Sequence, residues 1–302
     1  MFNTTEVYPA MSILDSVISN TIEAPNNNAS QVNTKLYTGE QCNMFDVLEK
    51  PISSEYGIIP NKKGLFVGGD CVNIVSDRYE VHQPREILEQ FNQVAEKTGL
   101  EVNRVITNPV NGGLLISAKY DNVSIVGESH DVNVTFYTSH CGKYKTFMSL
   151  DTLRLSCFNQ VPVLFRNKER HIVSEKHYRN ALNLDTIAAK LVHIPESVAA
   201  YNAKAETLLS KRLSMADFVE FFIEHQKLDR DAKRFQSKVD ELKAMYYSAP
   251  GQRHLGENAY KAYQAVTFDN THNGRNTAYK QEQILTKKSN DSLVVLEKLL
   301  AL

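Results

Sequence analysis

Residues 131–181 read DVNVTFYTSHCGKYKTFMSLDTLRLSCFNQVPVLFRNKERHIVSEKHYRNA and carry the clearest strand pattern in the chain. Apolar Val132, Val134 and Phe136 alternate with polar residues, as in a strand with one buried face. Residues 141–143, Cys-Gly-Lys, indicate a turn, after which the alternation resumes. Because strands of this kind pair with one another, the stretch predicts an antiparallel sheet.

The residues before this stretch extend the same pattern. Residues 68–70, Gly-Gly-Asp, predict a tight turn between two short strands. Pro84 and Gly99 frame an apolar pattern of helical period, which predicts a helix. Asn111-Gly112 and Asp121-Asn122 predict two further turns. Strands joined by tight turns form a meander, so we expect an α+β fold in which the helix packs on one face of an antiparallel β-meander.

The chain divides into three regions by pattern. Residues 1–56 are rich in Asn, Ser and acidic residues and predict an acidic, loosely structured N-terminal arm. Residues 57–173 form the expected sheet domain. Residues 174–302 change to helical periodicity and predict a helical region packed on the sheet domain, with Ser214 as one helix start.

Composition excludes several classes of protein. The 302 residues have a formal net charge of −1, and no apolar run approaches the roughly 20 residues of a membrane span. The N-terminus lacks the pattern of a signal peptide. The four cysteines include no C-x-x-C pair, which indicates reduced thiols. We therefore expect a cytoplasmic protein that has no membrane partner.

Basic residues concentrate on and after the central strands, although the chain as a whole is nearly neutral. Cations that follow phosphates and aromatic faces that stack on bases are the two requirements for holding single-stranded nucleic acid. The predicted contacts are Arg78, Lys119, Tyr120, Lys143, Tyr144, Lys145, Arg154, Arg166, Lys168 and Arg170. The alternative is that these rings belong to the core and that the cations only keep the surface soluble.

No catalytic motif is present. The sequence contains no Gly-x-Ser-x-Gly elbow and no phosphate-binding glycine loop. Cys141, Cys157, His171 and His177 are of the right types for zinc, but their spacing matches no recognised ligand pattern. We expect a non-enzymatic protein without metal or cofactor, and a metal-dependent enzyme acting on nucleic acid remains an alternative.

Four short motifs occur in order along the chain: SDRYEVHQP at 76–84, YTSHCG at 137–142, LRLSCFNQ at 153–160 and ENAYKAYQAVTFDNTHN at 257–273. Together they resemble the phage and plasmid-like proteins grouped as domain of unknown function number nine hundred and thirty-two. The resemblance covers residues from about 55 to 275, and Cys141 departs from it where many members have an acid. The matching residues are Arg78, Tyr79, His140, Gly142, Arg154, Cys157, Asn159, Ala259, Ala265, Val266, Thr267 and His272.

This resemblance implies an origin in a mobile element. By fold analogy, the expected order of helix, hairpin and strand is similar to the core of phage single-strand annealing proteins of the Redβ and Erf type, which assemble into rings or filaments on DNA. The leading hypothesis is a homo-oligomeric phage or plasmid protein of DNA recombination that binds single-stranded DNA, with strand annealing as a further expectation. The alternative is a module that contacts a phage or host protein through the N-terminal arm.

Overall fold

The computed structural model describes residues 42–175, 184–272 and 278–302. A six-stranded antiparallel sheet forms the centre of this part of the chain. Its strands are β4 (Glu101–Asn108), β5 (Gly113–Ile125), β6 (Glu128–Ser139), β7 (Thr146–Arg154), β8 (Asn159–Val163) and β9 (Val173–Glu175). They lie in the order β4-β5-β6-β7-β8, and β9 pairs with the free first half of the β7 edge. The predicted α+β class, with an antiparallel meander followed by helices, is confirmed.

The alternation along β6 separates two faces of this sheet. Val132, Val134 and Phe136 are buried on what we call the first face, which packs into the largest hydrophobic core. Thr135 and Tyr137 alternate with them and lie on the second face. Each fully buried apolar side chain of this size contributes about 1.5–3 kcal/mol, so the first face fixes the register of the strands.

Helix α1 (Pro84–Thr98) packs on the first face of the sheet, next to β4 and β5. Pro84 stands at its start, and Gly99 ends it in the left-handed conformation with φ of 72°, as the sequence predicts. Phe91 of this helix packs against Phe136 with ring centroids 6.2 Å apart. The helix is therefore held by its apolar stripe, since a 15-residue helix is only marginally stable in water by itself.

The C-terminal helices share the same core. Tyr260, Val295 and Leu299 are buried in one cluster with sheet residues Leu114 and Ile116. No described helix is long and apolar enough to cross a membrane. The helices are α2 (Leu184–Leu191), α3 (Ile194–Ser210), α4 (Met215–Gln226), α5 (Phe235–Ser248), α6 (Ala259–His272), α7 (Ala278–Gln283), which continues as a π-helical turn (Ile284–Lys288), and α8 (Ser289–Ala301).

A smaller sheet precedes α1 and contains β1 (Leu48–Ser54), β2 (Gly57–Val67) and β3 (Asp70–Ser76) in that order. Residues 48–54 were predicted as part of a loose arm, and that prediction is wrong for them. They pair with β2 as an edge strand, and the register shifts directly after Pro51; edge strands and bulges are the places in a sheet where proline is tolerated. Residues 1–41 of the predicted arm lie outside the described residues.

The turn between β5 and β6 also differs from the prediction. Asp121-Asn122 is not a turn, because β5 passes through it with a bulge after Lys119. The strand reverses at Val126 and Gly127, which both have positive φ, as a two-residue hairpin loop requires. Asn202 of α3 accepts a hydrogen bond from the Val126 N–H at 3.0 Å and so holds this loop against the helix.

Candidate nucleic-acid interface

The turn between β6 and β7 carries three of the predicted contact residues. Lys143 and Lys145 are exposed, and among the described residues neither has an ion-pair partner. Tyr144 is half-buried and meets Tyr137 edge-on, with centroids 5.9 Å apart and planes at 80°. The local sequence therefore places Lys143 and Lys145, unpaired within the part of the chain that the structure describes, directly before and after an aromatic residue.

That ring is one end of a row on the second face of the sheet. Tyr137 and Phe147 are directly opposite each other on β6 and β7, with centroids 5.3 Å apart. Phe147 lies in turn 4.6 Å from the ring of His171. Tyr137 and Phe147 are buried beneath Leu285, whereas Tyr144 and His171 are half-buried at the two ends of the row. We call these four residues the ring row.

Arg170 and Lys145 lie beside the His171 end of the ring row. Burial, together with the positive charges of Arg170 and Lys145, lowers the pKa of His171 to about 4. His171 is therefore a neutral aromatic ring at neutral pH. Arg170 also donates to the carbonyls of Leu285 and Thr286, which anchors its guanidinium to the π-helical turn.

Arg78 lies at the same end of the sheet. It is exposed in the loop after β3, and its neighbour Tyr79 hydrogen-bonds to His140, where the β6–β7 turn begins. Asn73 of β3 donates to the carbonyl of His140 at 2.9 Å and fixes the turn against the small sheet. The structure thus brings Arg78, Lys143, Tyr144, Lys145 and Arg170 to one end of the protein.

Lys119 and Tyr120 lie towards the other end. Lys119 is paired with Asn133 in the ladder, six residues before the end of β6, which corresponds to roughly 20 Å. Its amine forms an ion pair with Asp131 at 2.7 Å, and Tyr120 packs against the main core. The structure does not place these two residues with the others.

Arg166 and Lys168 lie on a short 3-10 turn (Arg166–Lys168) beyond β8, at the edge of the sheet. Both are exposed. Arg166 approaches His193 Nε2 at 3.3 Å and Glu196 at 3.9 Å, both at the start of α3. Residues 169–171 connect this turn directly to the ring row, so the two basic groups are neighbours along the chain.

The prediction that Arg154 contacts phosphate is wrong. Its side chain is 0% exposed and donates two hydrogen bonds to the Glu128 carboxylate and one to the carbonyl of Gly251. The ladder places Arg154 opposite His130, and Glu128 lies two residues before His130 on the same strand. The carboxylate of Glu128 is therefore close to Arg154 in space although it is distant in the sequence. Sequence patterning alone could not reveal this pair, since the partner is 26 residues away.

Polar side chains also continue along the second face from the ring row. Thr135 donates to Asp151 at 2.8 Å and lies 3.2 Å from the Ser117 hydroxyl. Burial raises the pKa of Asp151 to about 6, and the charge of Arg104 opposes that shift. The sequence analysis missed this polar ladder and also Tyr137, although one signal was available: Tyr137 falls on the polar side of the β6 alternation.

Two of the four motifs meet at the end of β6. Tyr79 of the first motif and His140 of the second form a hydrogen bond of 2.9 Å through the hydroxyl and Nδ1. Nε2 of His140 lies 3.1 Å from the carbonyl of His82. His140 is completely buried, so it joins the small sheet and α1 loop to the central sheet.

The other two motifs meet at the opposite end. The Asn159 amide donates to Gln264 and to the Thr267 hydroxyl at 3.2 Å on α6. Nε2 of His272, also on α6, lies 3.0 Å from the carbonyl of Cys157. The motif residues therefore form buried contacts that fasten α6 to the β7–β8 turn.

Comparison with known families decides what these motifs represent. The model of the family described as "Domain of unknown function (DUF932)" matches residues 72–294, about three quarters of the chain. The chain belongs to the DUF932 family. Searches of the curated proteins and of the solved structures give no significant match.

The DUF932 match begins within β3 and ends within α8, so it includes the central sheet and the C-terminal helices. Side-chain hydrogen bonds inside the protein are made by the motif residues Tyr79, His140, Arg154, Asn159, Thr267 and His272. Lys143, Tyr144 and Lys145 lie just outside those motifs.

Cys141 and Cys157, two of the four residues whose types suit zinc, do not come together. Cys141 follows the end of β6, where the β6–β7 turn begins, and Cys157 follows the other end of β7. The length of β7, nine residues or roughly 30 Å, separates them. His177 lies outside the described residues. Within 42–175, 184–272 and 278–302, no group of three or more His, Cys, Asp or Glu is arranged to hold a metal ion.

The buried His140 makes the stability of this DUF932 protein depend on pH. Burial lowers its pKa from 6.5 to about 4 in the folded state, against the opposing hydrogen bond to the carbonyl of His82. The unfolded chain therefore binds the proton first, and stability is lost as the pH falls from 6.5 towards 4. This difference corresponds to about 2 kcal/mol between pH 7 and pH 5.

We expect His140→Gln to be less stable than the wild type at pH 7 but to lose about 2 kcal/mol less than the wild type between pH 7 and pH 5. Urea denaturation of both proteins at both pH values measures this double difference. Asp151 shifts stability in the opposite sense, but it is common to both proteins and cancels. Equal losses in the two proteins would contradict a neutral buried His140.

Proposed function

We propose that this protein binds single-stranded DNA at the end of the sheet where the β6–β7 turn lies. The observation that carries the proposal is the ring row, whose half-buried ends Tyr144 and His171 lie beside Lys143 and Lys145, two cations that form no ion pair within residues 42–175, 184–272 and 278–302. Bases stack on aromatic rings while cations follow the phosphates. We call Lys143, Tyr144, Lys145, Arg170 and His171 the turn surface.

The energetics favour a single strand over a duplex. Stacking on an aromatic ring contributes about 1–3 kcal/mol per base, and only an unpaired strand exposes the faces of its bases. The two ends of the ring row offer one such contact each. His171 is neutral at neutral pH, so its ring contributes stacking while Lys145 and Arg170 supply the charge.

Two acidic residues accompany the turn surface: Glu169 is exposed and precedes Arg170, and the ladder places Glu175 opposite Thr146, next to Lys145. Glu282 is buried and accepts a hydrogen bond from Asn111. Asp131, near the other end of the sheet, is paired with Lys119. The net charge of −1 for the whole chain is compatible with a positive turn surface, because Lys143, Lys145 and Arg170 outnumber Glu169 and Glu175 there.

A fluorescence-anisotropy titration of a labelled single-stranded oligonucleotide tests the proposal. We expect saturable binding at low salt that weakens steeply at physiological salt, since phosphate contacts release counterions. An unlabelled single strand should compete, and a duplex of the same sequence should compete poorly. Absence of binding at low salt, or equal competition by the duplex, would contradict the proposal.

A second candidate function is protein interaction, favoured by the small sheet. Leu48 and Ile74 are about half-exposed, and the ladder places them on the same face of β1 to β3. Exposed apolar faces of this kind mark contact sites between proteins. A protein that fails to bind DNA at low salt but sediments as a concentration-dependent oligomer would favour this second function. We also propose oligomer assembly and strand annealing as further properties of a single-strand-binding protein.

A further inference from the structure

A groove of about 210 Å³ opens beside the 3-10 turn that follows β8, between that turn, α3 and α8. Its floor is apolar and buried, with Phe165, Tyr201 and Leu296 each 5% exposed or less. Ala200 of α3 is exposed and forms part of the wall. The groove lies outside the ring row and none of its floor residues takes part in the turn surface.

The rim of the groove is positively charged. Arg166, Lys168 and Lys204 contribute three cations; Glu196 is the one carboxylate among the lining residues, and Lys204 forms an ion pair with Glu297 at 2.5 Å. Glu196 is about two-thirds exposed and 3.9 Å from Arg166, a pair that contributes little in water. With Lys204 paired to Glu297, the excess positive charge of the rim comes from Arg166 and Lys168 against Glu196, and an anion that replaces water there meets it.

The turn that supplies these cations is pinned in place. Phe165 donates to the carbonyl of Glu169 at 2.7 Å, and the two residues form a β-bridge across the turn. Lys168 holds a left-handed conformation, with φ of 64°, which is uncommon for a side chain of its type. The lysine is thus presented at the groove by the backbone, without any rearrangement of the turn.

We propose that this groove binds one nucleotide of the DNA strand, with the base on the apolar floor and the phosphate at Arg166 and Lys168. The volume is below the roughly 300–1,000 Å³ of sites for drug-sized ligands, and it suits a ligand of the size of one base. Residues 166–171 run from the groove to His171, so a strand on the turn surface continues into it. This inference rests on the proposed function. It places one base of the bound strand in the groove, apart from the neighbouring bases.

Two neighbouring alanines provide a matched test. Ala199 and Ala200 are both exposed on α3, and only Ala200 lines the groove. Ala200→Phe fills the groove, whereas Ala199→Phe adds the same ring outside it. We expect thymidine 5′-monophosphate, followed by saturation-transfer NMR, to bind the wild type and Ala199→Phe equally and Ala200→Phe at least tenfold more weakly.

Lys168→Asn tests the phosphate end, because Asn accepts the left-handed backbone and removes the charge. We expect weaker nucleotide binding and a smaller salt dependence. The inference is overturned if Ala200→Phe and Ala199→Phe bind alike, if the wild type does not bind the nucleotide, or if inorganic phosphate binds as well as the nucleotide.

The oligonucleotide titration separates this inference from the proposed function. Salt-sensitive binding of the oligonucleotide that is unchanged in Ala200→Phe overturns the groove and leaves the turn surface intact. If the wild type does not bind the oligonucleotide, the proposed function is overturned. The nucleotide measurement then decides by itself whether the groove binds a nucleotide.

Discussion

Glu128→Leu is expected to lower the free energy of unfolding by about 3–5 kcal/mol, because it leaves the guanidinium of Arg154 buried without its counter-charge. The effect is large because Arg154 is fully buried and the two side chains are joined by two hydrogen bonds. Urea denaturation followed by circular dichroism measures it.

Glu220→Leu is the matched control for this experiment. It breaks the ion pair of Glu220 with Arg230, in which both side chains are more than half exposed, so the cost is expected to stay below about 1 kcal/mol. The double variant Glu128→Leu/Arg154→Leu should recover part of the loss, since neither charge then remains buried alone. A Glu128→Leu protein as stable as Glu220→Leu would contradict the structural role of Arg154.

Lys143→Glu/Lys145→Glu is expected to weaken single-strand binding by at least a hundredfold. Each reversal removes an attraction to phosphate and adds a repulsion, and both residues lack a competing partner among the described residues. The fold should remain intact, because both side chains are exposed in a turn. Anisotropy titration at low salt measures the affinity, and circular dichroism checks the fold.

Lys233→Glu/Lys243→Glu provides the control with the same change of net charge. These lysines lie on and just before α5, away from the turn surface. We expect only the small loss that a long-range charge produces at physiological ionic strength. If both double variants lose affinity to the same extent, the turn surface is not the binding site.

The sheet could be predicted from the sequence because it depends on local periodicity. The alternation at Val132, Val134 and Phe136 and the signals at Pro84 and Gly99 are properties of short segments, and the structure confirms them. The bulge after Lys119 could not be predicted, since it depends on the ladder with β6 rather than on the strand itself. The same holds for β1, whose polar residues and proline become a strand only by pairing with β2.

The candidate site was predicted in part, for a similar reason. Lys143, Tyr144 and Lys145 are adjacent in the sequence, so their proximity needed no fold. Arg154 looked like another surface cation because alternation along β7 does not show where a counter-charge lies. Charge type can be read from one residue, whereas burial of that charge depends on a partner supplied by the fold, here Glu128.

The salt dependence of single-strand binding shows whether Lys143 and Lys145 contact phosphates. For single strands the slope of log affinity against log salt changes by about 0.7 for each phosphate contact. The account predicts that Lys143→Glu/Lys145→Glu reduces the magnitude of this slope by at least about 1.4 relative to the wild type, which corresponds to two lost contacts. A slope identical to that of the wild type would show that neither lysine contacts phosphate and would contradict binding at the turn surface.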